Sequence, residues 1–166
     1  MTDSCGDCHD HRAITDRINL YAKLIDEGQA REAVKQVFAQ DALEDHGEGI
    51  APCRGWDEIG AMLEQATAPF KGAMHLNTNI TITLDGDVAT SRSYYQAIFW
   101  FDEGDAPGRR LSPADWVSAG VYRDEWRRLA EGWRITTRLR RNMGLSSVVL
   151  GGRPQHLLEM RSSDES

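Results

Sequence analysis

The sequence predicts an α+β fold in which a curved antiparallel sheet forms a cone and N-terminal helices pack over its concave face. Three observations carry this expectation. Apolar residues recur at helical spacing through residue 68, the period changes from 3.6 to 2 past residue 73, and Asp85-Gly86 supplies a two-residue hairpin turn between two long strands. A helical block followed by an antiparallel block buries one face of the sheet on the helices.

Each element follows from its own spacing. Over residues 13–27, Ile14, Ile18, Tyr21, Ala22 and Ile25 share one helix face, while Asp16, Arg17, Lys23 and Glu27 lie opposite. Gly28 is a natural stop. A second helix fits residues 30–39, with Ala33, Val34, Val37 and Phe38 inward, and Asp41 begins a polar stretch rich in acid and glycine that lasts to Gly55. A third helix over 56–68 uses Ile59, Met62 and Leu63 and ends before Pro69. Leu76, Ile80, Ile82 and Leu84 then alternate with His75, Asn77, Asn79, Thr81 and Thr83, the pattern of a strand. A return strand over 88–101 is aromatic from Tyr94 onward. An exposed connection over 103–113 leads to strands at 115–127 and 133–141, joined by a turn at Ala130-Glu131-Gly132. Three helices thus precede an antiparallel meander. Residues 1–12 read as a flexible leader, 13–145 as the folded domain, and 146–166 as a tail whose patch Leu157-Leu158 and Met160 either docks as a short helix or stays disordered.

Composition narrows the function. A chain of 166 residues that is 40% hydrophobic before its 15 glycines are added has the make-up of one globular domain, which excludes collagen-like and disordered classes. At this length about 70% of the unfolded chain's surface is buried. Twenty-six acidic against nineteen basic residues leave a net charge of −7, which argues against nucleic acid or an anionic membrane as partner. Sixteen of the basic residues are arginine, a bias toward forked, directional ion pairs. No apolar run is long enough to span a bilayer, and three cysteines, Cys5, Cys8 and Cys53, suit a reducing compartment; a cytoplasmic location is expected.

Several groups can carry chemistry. Cys5-Gly6-Asp7-Cys8-His9 has the spelling of a haem attachment site and, with His11, offers four zinc-type ligands, but they crowd a leader that lacks a second structured segment, so no metal site is assigned. Asp26 lies in the last turn of the first helix, one step from Ile25 on the apolar stripe, where an inward carboxylate needs a partner. His75 opens the first long strand; histidine can take a proton in one step and return it in the next, and a carboxylate on its other nitrogen would fix its tautomer. His46 is a second candidate. The sheet aromatics, among them Tyr94, Trp100, Trp116 and Tyr122, are mostly core, with a subset suited to a flat apolar ligand. Arg123, Arg127, Arg134, Arg138 and Arg140 alternate along the last two strands and read as a solvated face or subunit contact, paired with Asp124, Glu125 and Glu131. No phosphate loop, dinucleotide fingerprint, nucleophile elbow or H-E-x-x-H motif is present, so an enzyme here would work without a cofactor.

Taken together, the run Tyr21 to Gly28, Phe38-Ala39-x-Asp41-Ala42, Gly55-x-x-x-Ile59, His75-x-x-Thr78-Asn79-Ile80-x-Ile82, Asp85-Gly86-Asp87-x-Ala89, Gly120-x-Tyr122-x-Asp124 and Gly132-Trp133-Arg134-Ile135 with Arg138 resemble the SnoaL-like domains of the nuclear transport factor 2-like superfamily. Among dehydratase and dehydrochlorinase members of that group, an aspartate ending the first helix and a histidine opening the first long strand form a catalytic pair. The resemblance carries these roles to Asp26 and His75. It also departs from the pattern: where some dehydratases have tyrosine beside the aspartate, this chain has Ile25, with Tyr21 one turn earlier, and His46 stands near another dehydratase tyrosine position.

Two functions follow. The first is a cofactor-independent lyase or isomerase, of dehydratase or cyclase type, acting on a small apolar ring or polyketide-like metabolite. His75 and Asp26 would be its catalytic pair, and Tyr21, His46, Asn77, Tyr94, Trp100, Trp116 and Tyr122 would contact the substrate. The second is a non-catalytic small-molecule-binding or assembly module, including a role like a dioxygenase small subunit. The resemblance implies a homodimer through the outer face of the sheet in either case.

Overall fold

The computed structural model describes residues 4–47, 49–101 and 116–143, with the side chains of Ser4, Cys5 and Phe101 excepted. Three helices, α1 (Ser4–Asp26), α2 (Ala30–Val37) and α3 (Gly55–Thr67), accompany six strands: β1 (Phe38–Asp45), β2 (Cys53–Arg54), β3 (Phe70–Asp85), β4 (Val88–Phe101), β5 (Trp116–Leu129) and β6 (Gly132–Asn142). One sheet of order β2-β1-β6-β5-β4-β3 curves, without closing, into a cone. The α1 helix crosses its concave face against β3 and β6, and α2 and α3 complete the cover. The expected connection at 103–113 and the expected tail from 146 lie outside the described residues.

The apolar stripes form the core as their spacing predicts. Ile14, Ile18, Tyr21, Leu24 and Ile25 of α1 are buried with Val34 and Val37 of α2 and Ile59 and Leu63 of α3, against Trp126, Trp133 and Ile135 of the sheet. Gly28 ends α1 as expected: its positive φ of 72° lets Gly28 N–H reach the Ile25 carbonyl and Gln29 N–H reach that of Leu24, closing a Schellman turn just past Asp26.

Three expectations are corrected. The segment 4–12 is no loose leader, because α1 already begins at Ser4. It has no apolar stripe to advertise it; instead Asp10 accepts two hydrogen bonds of 2.6 Å from Arg128 and one of 3.0 Å from the Trp133 indole, tying the helix start to the far end of the sheet. Second, the second helix stops at Val37, and Phe38–Asp45 is a strand where a helix end and polar loop were expected. Its sequence, FAQDALED, has poor strand propensity, and its backbone is satisfied by β6, some ninety residues away, with β2 on its other side. Third, the sheet is therefore not a pure antiparallel meander: β1 runs parallel to β6.

Arginines on the last strands also divide differently from the expectation of a solvated face. Arg138 and Asp124 do pair, but at the centre of the molecule, each side chain 1% exposed, through bonds of 2.8 and 3.0 Å. The guanidinium stands 4.5 Å from the Tyr21 ring, 4.3 Å from that of Tyr122 and 5.3 Å from that of Phe38. Asp124 also accepts from the Ser91 hydroxyl, which in turn accepts from the Trp126 indole at 2.9 Å. Burial alone would discharge the arginine; the charge and hydrogen bonds of Asp124 prevail and hold it more firmly protonated than a free arginine.

Two predictions follow from these ties. Asp124→Ala leaves a buried guanidinium without its counter-charge and is expected to cost about 3–5 kcal/mol of unfolding free energy in a denaturant titration; a loss below about 1 kcal/mol would show that the pair is dispensable. The Arg128 and Trp133 bonds hold the Asp10 carboxyl at about 2, below its ordinary 3.8. A lowered acid stabilises the fold above its unfolded value and loses that contribution as pH falls from about 4 to about 2. Asp10→Asn is therefore expected to lower stability at neutral pH by about 1 kcal/mol and to flatten the acid limb of the stability curve.

Candidate active site

Asp26 and His75 meet at the seam between α1 and β3. The Asp26 carboxylate accepts two hydrogen bonds from one residue: Oδ2 takes the His75 backbone N–H at 3.0 Å and Oδ1 takes the ring Nδ1 at 2.6 Å. This grip fixes the histidine main chain and ring together. With Nδ1–H committed to the carboxylate, Nε2 is the nitrogen left to act as an acceptor. The two side chains are mostly buried, 10% exposed for His75 and 24% for Asp26, and the Phe99 ring meets the imidazole edge-on at 5.5 Å.

A break in strand register makes this meeting possible. On β3 the residues after Asn79 that turn inward are Ile80, Ile82 and Leu84, whereas before it they are His75 and Asn77, with Met74 and Leu76 about 40% exposed on the outer face. Strict alternation from Ile80 would have pointed His75 outward. Asn79 adopts φ 52°, a left-handed conformation that asparagine tolerates, and the pairing with β4 shifts between Thr78 and Thr81. A second shift, opposite Glu125 and Trp126, leaves Thr136 unpaired on β6. Before it Trp133 and Ile135 face the core; after it Arg138, Arg140 and Asn142 face the cone.

The cone holds a pocket whose wall includes His75, Tyr21, His46, Trp116 and Tyr122, five of the nine residues singled out from sequence. Phe70, Phe99 and Trp116 stack along one side with centroids 4.1–5.6 Å apart, and Tyr95 stacks on Tyr122 at 4.6 Å. Asp26 is not on this wall. It lies behind His75, in a separate open depression with Asn19, Lys23 and Asn77. Asn77 is accordingly corrected from pocket donor to neighbour of the aspartate. Tyr94 and Trp100 are corrected as well: both face the outer side of β4, and their immediate neighbours Tyr95 and Phe99 face in.

Sequence reasoning also missed Tyr95, Ser118, Arg140 and Asn142, which line the pocket, and Glu44, which is 1% exposed behind it. Glu44 Oε1 stands 3.2 Å from His46 Nδ1, an ion-pair contact not aligned as a hydrogen bond, and neither Glu44 oxygen has a hydrogen-bond partner among the described residues. Burial, reinforced by the Glu44 charge, pushes the Tyr21 hydroxyl well above its ordinary range, and burial pushes that of Tyr122 up too, so both remain O–H donors at neutral pH. No three histidine, cysteine, aspartate or glutamate side chains converge as a metal set among the described residues; Cys8, His9 and His11 lie exposed on α1, and the Cys5 side chain is outside them.

Residues 7–139 match the SnoaL-like domain family. The chain belongs to that family. Solved structures agree in fold. A proposed aromatic ring hydroxylase from Novosphingobium aromaticivorans is 27% identical over 82% of this chain and 90% of its own, with a TM-score of 0.69. A proposed scytalone dehydratase from the same organism is 22% identical over 93% and 100%, with a TM-score of 0.71. LinA is 18% identical over 89% and 97%, also at 0.71. A Salmonella enterica protein described as a member of the nuclear transport factor 2-like superfamily shares the fold, 18% identical over 88% of this chain and 99% of its own with a TM-score of 0.69. No curated protein matches in sequence.

Proposed function

We propose that this SnoaL-like protein is a cofactor-independent lyase or isomerase of dehydratase type, acting on a small ring compound or polyketide-like metabolite. The observation that carries the reading is the double grip of Asp26 on His75, which leaves Nε2 as the acceptor on the wall of an aromatic pocket. His75 takes a proton from a carbon of the substrate; Asp26 orients the ring and stabilises the imidazolium that forms. In an elimination the freed electron pair becomes the new double bond as the leaving group departs, and in an isomerisation the imidazolium returns the proton to another carbon. The Tyr122 and Tyr21 hydroxyls are donors for the developing oxyanion or leaving group, and His46 is a further donor on the same wall. The proposed scytalone dehydratase and LinA share this fold, and the dehydration named for the first accords with the chemistry.

A second reading, a non-catalytic assembly role like that of a dioxygenase small subunit, is favoured by the 27% identity to the proposed aromatic ring hydroxylase. Both readings place the protein in the cytoplasm, and among the described residues no helix is long and apolar enough to cross a membrane. Both also pair two copies through the outer face of the sheet, where Met74, Leu76 and Val88 are more than 40% exposed.

The mechanism is tested with a substrate found by screening hydroxy- and carbonyl-substituted ring compounds for elimination or isomerisation. His75→Ala and Asp26→Asn are expected to keep the native circular dichroism spectrum and lose about 10²–10⁴-fold in kcat/KM; folded variants with full activity would remove the pair from the mechanism. Light scattering of the intact chain is expected to give twice the monomer mass, and Leu76→Glu to return it to the monomer.

A further inference from the structure

The end of the pocket formed by β5 and β6 has a chemistry of its own. Arg140 lines it, yet among the described residues no carboxylate lies within ion-pair range of its guanidinium. The neighbouring arginines on β6 do have such partners: Arg138 has Asp124 and Arg141 has Asp45. Arg140 instead donates one N–H to the Ser118 hydroxyl at 3.0 Å and lies 5.0 Å from the centre of the Tyr95 ring. That leaves most of its five N–H groups without an acceptor among the described residues. Beside it, the Asn142 side-chain oxygen is occupied as acceptor by the Tyr95 hydroxyl, so its amide turns N–H donors to its surroundings. Gly120 makes this arrangement possible. A Cβ there would stand 2.8 Å from the Tyr95 ring and 2.2 Å from the Arg141 carbonyl.

Donors therefore dominate this end among the described residues, where the Asn142 oxygen and the Ser118 hydroxyl already accept from Tyr95 and Arg140. Among the described residues no aspartate or glutamate lies on the pocket wall; Glu44 stands behind His46 and Asp26 behind His75. Among the described residues Arg140 is thus the one wall residue with a permanent charge, and a guanidinium fork matches the two oxygens of a carboxylate.

We propose that Arg140, with Asn142, forms a carboxylate-binding end of the pocket, so that the ligand is a ring compound bearing a carboxylate, its ring on the Phe99 and Trp116 stack. This rests on the pocket being a small-molecule site and adds the substrate class. The probes are trans-cinnamate and its neutral counterpart cinnamamide, titrated calorimetrically into the intact chain at neutral pH and low salt. Cinnamate is expected to bind about 10–100-fold more tightly than the amide. In Arg140→Gln that preference is expected to fall to near unity with the affinity for cinnamamide unchanged, and His75→Ala is expected to keep it. Equal binding of the two probes to the unaltered protein, or a preference that survives in Arg140→Gln, overturns the carboxylate site while leaving the pocket reading in place. Absence of heat from both probes overturns the two together.

Discussion

The buried Arg138 guanidinium is the point on which the molecule turns. Its forked bond to Asp124 joins β6 to β5, its contacts with Tyr21 and Phe38 draw in α1 and β1, and the chain from Asp124 through Ser91 to the Trp126 indole reaches β4. A charge at such depth is tolerable because its desolvation is offset by a carboxylate and by the faces of aromatic rings. The cluster also divides the interior. On one side lie Ile135, Trp126 and Trp133 with Ile14, Ile18 and Val34 of the helices; on the other Tyr122, one face of the same sandwich, becomes a wall of the pocket, which Ile25 and Leu63 also line. One ion pair thus seals the core and frames the site.

That division needs strands whose two halves present different faces, and the two register shifts supply it. A regular strand commits all its residues of one parity to one side. β3 must place isoleucines in the core and a histidine in the pocket, and the residue that changes the parity, Asn79, is a type that enters the left-handed region at small cost. β6 does the same around Thr136, passing from Trp133 and Ile135 to Arg138, Arg140 and Asn142. Without the first shift His75 would face away from Asp26; without the second, the guanidinium that anchors the core would face solvent.

What could be read in the sequence, and what could not, follows from the same physics. Helix faces, the Gly28 stop and the meeting of Asp26 with His75 depend on local spacing, or on a resemblance carried by local motifs, and they were legible. β1 was not, because FAQDALED forms a strand only through pairing with β6 and β2. The start of α1 was hidden because an ion pair at Asp10, rather than an apolar stripe, holds it down. On β4 the aromatics fill both faces, so the run from Tyr94 to Trp100 offers no parity, and the small inward residues Ala89, Ser91 and Ser93 that fix it include two serines, which read as exposed. The pattern thus points to Tyr94 where Tyr95 is the pocket residue. Arg138 and Arg140 were assigned outward because charge is the ordinary mark of a solvated face.

The separation of Asp26 from the pocket has a chemical meaning. A carboxylate on the wall would repel any substrate on which negative charge develops, and would offer a competing acceptor to every donor brought in to stabilise that charge. Here the acid stands behind the imidazole, where it acts on the bound molecule only through His75, and Glu44 is likewise held off the wall beside His46, without the hydrogen bonds that join Asp26 to His75. The ligand meets a ring nitrogen, two phenols kept protonated by burial, and N–H donors on β6. Such a surface is complementary to an enolate, an alkoxide or a carboxylate, and the proposed proton abstraction, which moves charge from carbon to oxygen, would make it more so. The bulges decide which residues reach the wall, and Asp26 fixes how the His75 ring is held once it is there.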